Sequence, residues 1–192
     1  VFTETDPDGN GQEEEDYLLK DSRGITNHGN NDATDLLTPN LIPFREVRFP
    51  LQQGATFESV NKTGVNFGDL TRDGKNETGD VLAQVTVAAF ETVTVPAGTF
   101  ANSAKIEATI TSTLTLSDDG SRVTITAIQT DWLAPGVGPV KRRSQTSGLG
   151  LTETVTEELV KFTPAFRFTS VSAARDHTCA LMPDGTAYCW GA

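Results

Sequence analysis

Residues 104–116 read Ala-Lys-Ile-Glu-Ala-Thr-Ile-Thr-Ser-Thr-Leu-Thr-Leu. Small or apolar residues occupy every even position, and Lys, Glu or Thr occupies every odd one. A period of two over such a length is typical of a long β-strand with one buried and one solvated face. The sequence therefore predicts a strand whose even-numbered side chains face a core.

The following residues predict that this strand folds back on itself as a hairpin. Residues 117–120 read Ser-Asp-Asp-Gly, a composition that favours a turn. Residues 121–132 then carry a second run of β-branched and apolar residues. A turn centred between residues 118 and 119 places Leu114 opposite Val123, so we expect these two side chains to share a face.

The alternation in the second strand of this hairpin changes phase. Its apolar residues first occupy the odd positions Val123, Ile125 and Ala127, and then the even positions Ile128 and Trp132. A shift of one residue sends side chains to the opposite face unless an extra residue is accommodated. We therefore predict a β-bulge at Ala127-Ile128.

Three further segments predict strands beside this hairpin, at residues 82–95, 137–145 and 149–162. They are delimited by the turn sequences Val-Pro-Ala-Gly at 95–98 and Ala-Pro-Gly-Val at 134–137, with proline and glycine where type I and type II turns favour them. The predicted fold class is all-β, a curved antiparallel meander sheet of about five strands, half-barrel or sandwich-like, followed by a C-terminal β-hairpin.

Composition argues against a nucleic-acid partner and against a membrane-spanning helix. The chain of 192 residues has a formal net charge of −11, which opposes binding to a phosphate backbone, so we expect no nucleic-acid partner. No apolar stretch approaches the ~18 residues that a membrane-spanning helix needs, so we expect no membrane-spanning segment.

The N-terminal residues contain a candidate calcium site. Residues 6–11 read Asp-Pro-Asp-Gly-Asn-Gly and fit the first half of a calcium-binding loop, in which side-chain oxygens recur at alternate positions. The twelfth position of that loop is Tyr17 rather than the usual bidentate Glu. We predict Ca²⁺ as a cofactor with Asp6, Asp8 and Asn10 as ligands; the alternative is a solvated, glycine-rich loop.

The remaining polar groups predict no catalytic residue and no enzyme. His28 lies among Asn and Gly, and His177 has no nucleophile motif beside it. The basic run at residues 141–143 is explained by a solvated strand face. A second acidic cluster is explained by a solvated turn, and it comprises Asp69, Asp73, Asn76, Glu77 and Asp80.

Two of the turns resemble those of a recurrent bacterial exported β-domain. The first is Val-Pro-Ala-Gly-Thr-Phe at 95–100, and the second is Trp-Leu-Ala-Pro-Gly-Val-Gly-Pro-Val-Lys at 132–141. The resemblance covers roughly residues 41–162. It implies a periplasmic or surface protein, similar to the curved half-barrel of lipoprotein carriers, and it brings no established catalytic residues.

The C-terminal residues carry a second resemblance. Residues 171–191 read Val-Ser-Ala-Ala-Arg-Asp-His-Thr-Cys-Ala-Leu-Met-Pro-Asp-Gly-Thr-Ala-Tyr-Cys-Trp-Gly. They resemble the opening of a regulator-of-chromosome-condensation-type propeller repeat, in the two-cysteine form typical of secreted bacterial proteins. Such repeats work in arrays. The predicted domains are an irregular N-terminal segment at 1–40, the β-domain at 41–162, and a linker plus first propeller hairpin at 163–192.

The two cysteines predict a disulfide across this last hairpin. A three-residue turn at 183–185, with Gly185 in the left-handed conformation, places Cys179 opposite Cys189 with both sulfurs on one face. The alternatives are a metal site, for which His177 alone adds too few ligands, and free buried thiols. A disulfide indicates an oxidising location: extracellular, cell surface or periplasmic.

These observations predict a non-enzymatic secreted or cell-surface module of a larger bacterial protein, with a structural, adhesion or assembly role. Its partners would be other proteins or copies of itself. The alternative is a periplasmic or surface carrier that binds a lipid or another apolar small molecule on the concave face of the sheet. Small residues on the even face would leave room for that ligand: Ala104, Ala108 and Ser112.

Overall fold

A computed structural model describes residues 2–5, 13–33, 35–148, 150–163, 169–173, 177–183 and 185–191. The chain divides into two compact units, Val1–Val160 and Lys161–Ala192. Nearly all of the regular structure is β, which confirms the predicted fold class. Within the described ranges the helical structure is a single turn, and no helix has the length and apolar character needed to cross a bilayer.

The first unit begins with a four-stranded antiparallel sheet in the order β1-β2-β3-β4. Its elements, with the helical turn between the last two strands, are β1 (Phe2–Thr5), β2 (Glu13–Asp21), β3 (Gly24–Asn30), α1 (Thr38–Leu41) and β4 (Phe44–Arg48). Three of these strands lie in the segment that the sequence predicted as irregular. The alternation is hidden there because a polar residue, Asn27, occupies a buried position of β3.

The rest of the first unit is a six-stranded antiparallel sheet in the order β10-β9-β8-β7-β6-β5. Its strands are β5 (Thr56–Asn66), β6 (Thr78–Val95), β7 (Gly98–Thr115), β8 (Arg122–Ala134), β9 (Gly138–Gly148) and β10 (Leu151–Glu158). Every strand pairs with its neighbours in sequence, so the predicted five-stranded meander is confirmed for β6 to β10. Strand β5 adds a sixth member at one edge.

The central hairpin has the predicted register. Leu114 of β7 lies opposite Val123 of β8. Residues opposite each other in an antiparallel pair point to the same side of the sheet, so these two side chains share a face. We call the face that carries the even-numbered residues of β7 the inner face.

The predicted β-bulge at Ala127-Ile128 is wrong. Strands β7 and β8 keep a single register from Thr115↔Arg122 to Ala104↔Leu133, so no residue is inserted between them. The odd-numbered residues of β8 therefore stay on the inner face along the whole strand. The apparent change of phase arises because polar residues replace apolar ones on that face.

Trp132 accordingly lies on the outer face of the sheet. The amino groups of Lys105 and Lys141 lie 5.9 Å and 5.6 Å from the centre of its ring. These distances are within the range of a cation–π contact. An aromatic residue that suggested a buried position is thus a partly covered residue of the outer surface.

The second unit contains a three-stranded sheet in the order β11-β12-β13. Its strands are β11 (Ser170–Ala173), β12 (His177–Leu181) and β13 (Ala187–Gly191). The predicted hairpin register is confirmed, because Cys179 pairs with Cys189 and Gly185 has a φ of 86°. The structure joins the two cysteines in a disulfide with their Cα atoms 4.1 Å apart.

The core of the first unit contains aliphatic side chains on the inner face. Leu114 is the largest of those with almost no exposed surface, at 1%. Gly79 of β6 lies opposite it, where a Cβ atom would be only 2.7 Å from the Cα of Leu114. The absence of a side chain at Gly79 therefore allows the two strands to pack around Leu114.

We expect the substitution Leu114→Ala to destabilise the first unit by about 2–5 kcal/mol, since it leaves a cavity in a closed part of the core. The matched control is Leu151→Ala, because Leu151 is 77% exposed, and it should change stability by less than about 0.5 kcal/mol. Urea unfolding followed by circular dichroism measures both. Equal effects would show that the inner face is not the core.

Candidate functional site

A cavity of about 330 Å³ lies between the two sheets of the first unit. Strands β2, β3 and β4 and helix α1 supply one side, and strands β5 to β9 supply the other. Most of its lining is aliphatic. Six residues of β6 and β7 form what we call the apolar wall: Val81, Ala83, Val85, Ile106, Ala108 and Ile110.

The apolar wall follows directly from the period of two in β7. Ile106, Ala108 and Ile110 are consecutive even-numbered residues, so all three reach the inner face. Ala108 pairs with Val85, and Ile110 pairs with Ala83, so a small residue in each pair stands beside a larger one. The short alanine side chains leave the space that the cavity occupies.

The small residues of β7 have different roles. Ala108 lines the cavity, as expected for a residue that leaves room for a ligand. Ala104 is not among the lining residues and packs in an apolar cluster with Val47 and Phe57. Ser112 is buried and is not among the lining residues.

Polar side chains are concentrated in one part of the cavity, which we call the polar end. They come from both sheets: Asp16 on β2, Asn27 on β3, Glu46 on β4, Gln129 and Asp131 on β8, and Arg142 on β9. The sequence did not predict that these residues lie together. The polar end is assembled by pairing strands that are distant along the chain.

Two hydrogen bonds hold Asp131 in place on the inner face. Arg142 pairs with it across the sheet, and its Nε atom donates to Asp131 Oδ1 at 2.8 Å. Gln129 Nε2 donates to Asp131 Oδ2 at 2.7 Å. The guanidinium group thus forms an ion pair with a carboxylate that would otherwise lie beside apolar side chains.

A second pair of hydrogen bonds fixes the side facing Asp131. Asn27 Nδ2 donates to Glu46 Oε1 at 2.8 Å, and the Gly29 backbone N–H donates to Asn27 Oδ1 at 2.7 Å. Asn27 is 4% exposed, so both ends of its amide need a partner. The amide therefore orients the Glu46 carboxylate toward the cavity.

The surroundings of Asp16 and Glu46 raise the pKa of both carboxyl groups. Burial raises the pKa of Asp16, an effect that the charge of Arg142 opposes and the charges of Asp35 and Asp131 reinforce. Burial also raises the pKa of Glu46, against the hydrogen bond from Asn27. Desolvation disfavours the charged form of a carboxyl group unless a cation compensates it.

The explanation of residues 141–143 as a solvated basic run is wrong for Arg142. Its side chain lines the cavity, whereas Lys141 contacts the ring of Trp132 on the outer face. The change of phase in β8 was the available signal, because it marks the strand in which Gln129 and Asp131 take inner positions.

The explanation of the acidic cluster as a solvated turn is correct for Asp69, Asp73 and Asn76, which are exposed, but Asp80 lies in β6 and the explanation is wrong for Glu77, which is buried. Asp69 accepts from the backbone N–H groups of Asp73 and Gly74. Glu77 is 1% exposed and accepts hydrogen bonds from Ser117 Oγ at 2.7 Å and Thr71 Oγ1 at 2.8 Å. It links this turn to the end of β7.

The charged form of Glu77 is stabilised by these donors. Burial opposes ionisation, but the hydrogen bonds from Ser117, Leu70 and Thr71 outweigh it and lower the pKa of Glu77 to about 2, from an ordinary value of 4.5. A folded-state pKa below the unfolded value adds stability above the unfolded pKa, and this stability is lost as the pH falls toward the folded pKa.

We therefore expect Glu77→Gln to lower the melting temperature at neutral pH and to flatten its decline between about pH 5 and about pH 2. The matched control is Asp73→Asn in the same turn, which keeps the oxygen that accepts from the Lys75 backbone N–H and removes only a surface ion pair with Lys75, so it should change both much less. Thermal unfolding at a series of pH values is the measurement. An unchanged acid limb in Glu77→Gln would contradict the assignment.

The predicted calcium ligands and the two histidines are the remaining candidate residues. The predicted calcium ligands Asp6, Asp8 and Asn10 lie outside the described residues, so Ca²⁺ binding stays a prediction. His28 is an exposed residue of β3, and the side chain of His177 is also outside what the structure describes. Across the described residues, no group of three or more His, Cys, Asp or Glu side chains has the geometry to hold a metal ion.

Comparison with known proteins identifies two similarities. Residues 53–147 match the family described as DUF3108-like, and residues 168–192 match the Regulator of chromosome condensation (RCC1) repeat. No curated protein and no solved structure matches the chain. The matches support a β-domain followed by a propeller-type repeat. The first one spans β5 to β9, which carry the apolar wall and three residues of the polar end.

Proposed function

We propose that the first unit binds a small, largely apolar molecule in the cavity between its sheets, without changing it chemically. The observation that carries this proposal is the cavity itself, with a volume of about 330 Å³ and aliphatic walls. Binding sites for small molecules are typically concave, mostly apolar spaces of about 300–1,000 Å³ with a few placed polar groups. The cavity has each of these properties.

Packing supports the same conclusion. Protein interiors are close-packed, and side chains beside an empty space lose dispersion contacts. Leucine at either Ala83 or Ala108 would reduce the space, yet both positions hold alanine. An occupant would restore the contacts that these short side chains do not make. The carrier function that was the alternative in the sequence analysis is thus the one the geometry supports best.

The second unit supports an additional, structural role. One face of its described strands exposes the large apolar side chains of Val171, Tyr188 and Trp190, whereas Leu181 is exposed on the other face. A single repeat of a propeller cannot bury its own apolar face, and neighbouring repeats cover it in arrays. We propose that this face packs against further repeats or another protein, which is the assembly function expected from the sequence.

We also propose that the protein works outside the cytosol: at the cell surface, in the periplasm or in the medium. The support is the disulfide between Cys179 and Cys189, since such bonds persist in oxidising compartments.

We expect thiol labelling of the denatured, unreduced protein from its native source to find no reactive cysteine. The same sample after reduction is the control and should label twice. Two reactive cysteines before reduction would contradict both the bond and the location.

The binding function is tested by filling the cavity. We expect wild-type protein to bind the neutral fluorescent probe N-phenylnaphthylamine, and Ala108→Leu to weaken that binding at least about tenfold, because the added side chain occupies the ligand's space. Thr109→Leu is the matched control, since Thr109 is the next residue on β7 and points to the outer face. It should bind within about twofold of wild type.

Melting temperatures of the two variants distinguish a filled cavity from an unfolded domain. Ala83→Val adds less bulk on the opposite strand and should weaken binding to a smaller degree than Ala108→Leu. Undiminished probe binding by folded Ala108→Leu would exclude the cavity as the site.

A further inference from the structure

We propose that the molecule bound in the cavity carries a positively charged ammonium group, which lies at the polar end among the carboxylates of Asp16, Glu46 and Asp131. This inference rests on the proposed binding function and specifies its ligand class. The expected ligand is an amphiphile, a primary amine or a similar organic cation with an aliphatic body.

The first argument is the balance of charge at the polar end. Three carboxyl groups line it, together with a single cationic side chain, Arg142. The guanidinium group already forms an ion pair with Asp131 at 2.8 Å. A ligand carboxylate or phosphate placed here would face two further carboxyl groups, and like charges repel more strongly among partly buried groups than in bulk water. An anionic amphiphile is therefore disfavoured.

The second argument is the balance of hydrogen-bond donors and acceptors. The amide nitrogens of Gln129 and Asn27 already donate to Asp131 and Glu46. A carboxylate has room for more than one donor on each oxygen. The polar end thus offers many acceptors to a ligand, which an ammonium group with its three N–H donors matches.

The third argument concerns the cost of the buried carboxyl groups. The pKa values of Asp16 and Glu46 are both raised, mainly by burial. A bound cation would favour their charged forms and lower these pKa values. The charged groups that act on them are Asp35 beside α1, Asp131 on β8 and Arg142 on β9, and Asp16 on β2 also acts on Glu46. Of these groups only Arg142 is positive.

The apolar wall explains why the cation should belong to an amphiphile. The aliphatic side chains of β6 and β7 continue from the polar end along the same cavity. A small hydrated cation would leave these side chains without contacts, whereas an alkyl chain would bury them. We therefore expect the ammonium group and the aliphatic body to belong to one molecule.

The test compares three ligands of equal length: decylamine, decanol and decanoate. Each is titrated against the protein carrying N-phenylnaphthylamine, and displacement of the probe gives its affinity. At neutral pH we expect decylamine to bind at least about tenfold more tightly than decanol, and decanoate to bind most weakly. A tenfold ratio corresponds to one charge-assisted hydrogen bond of about 1.4 kcal/mol.

Charge-removing variants locate the head group. Glu46→Gln and Asp16→Asn should each weaken decylamine about tenfold while leaving decanol within about twofold. The control is Glu107→Gln, which removes a carboxylate on the outer face of β7 and should change neither ligand. Decylamine affinity should also fall as the pH is lowered, beginning above the ordinary carboxyl pKa values of 3.8 and 4.5, whereas decanol affinity should not.

The outcomes separate this inference from the function on which it rests. Binding of decanol or decanoate as tight as that of decylamine would overturn the ammonium assignment and leave the cavity as a binding site. Equal binding of decylamine by Glu46→Gln, Asp16→Asn and wild type would overturn it as well. Failure of the probe and all three ligands to bind would overturn the binding function itself.

Discussion

The single register between β7 and β8 is the constraint on which the rest of the first unit depends. Side chains alternate strictly along a strand, so one shifted pair would send every later side chain to the opposite face. Because Leu114 faces Val123, the aliphatic residues of β7 all reach the inner face, and Gln129 and Asp131 reach it with them. The cavity, with both its apolar and its polar parts, is a consequence of that alignment.

Maintaining the register has a cost at the polar end. Ion pairs contribute little to stability at a surface, and in a core apolar side chains in their place are often neutral or stabilising; the pair of Asp131 and Arg142 is partly buried, between these limits. Asp131 and Arg142 lie on facing strands of a sheet whose other inner residues are mostly aliphatic. Polar groups that a core does not need are characteristic of functional sites, where stability is exchanged for recognition. The ion pair therefore supports the proposed binding role more than a stabilising one.

The sequence predicted features that depend on local pattern. The central hairpin, the meander and the Cys179–Cys189 register all follow from alternation and turn residues within a short stretch. The polar end could not be predicted in this way. An aspartate on a strand, such as Asp131, is expected on the solvated face unless its partner on the next strand, Arg142, is known. The N-terminal sheet was missed for a similar reason. Asn27 is satisfied by Glu46 from another strand, and that partner is not visible in the alternation of β3.

The strictly consecutive order of the six-stranded sheet has a consequence for how the chain reaches its native state. Folding rates of small proteins fall as the average sequence separation between contacting residues grows. Here each strand pairs only with those before and after it, so every ladder closes through a neighbouring loop. Loop closure is least costly when the loop is short. The sheet can thus begin with the hairpin of β5 and β6 and add each later strand as a ribosome releases it.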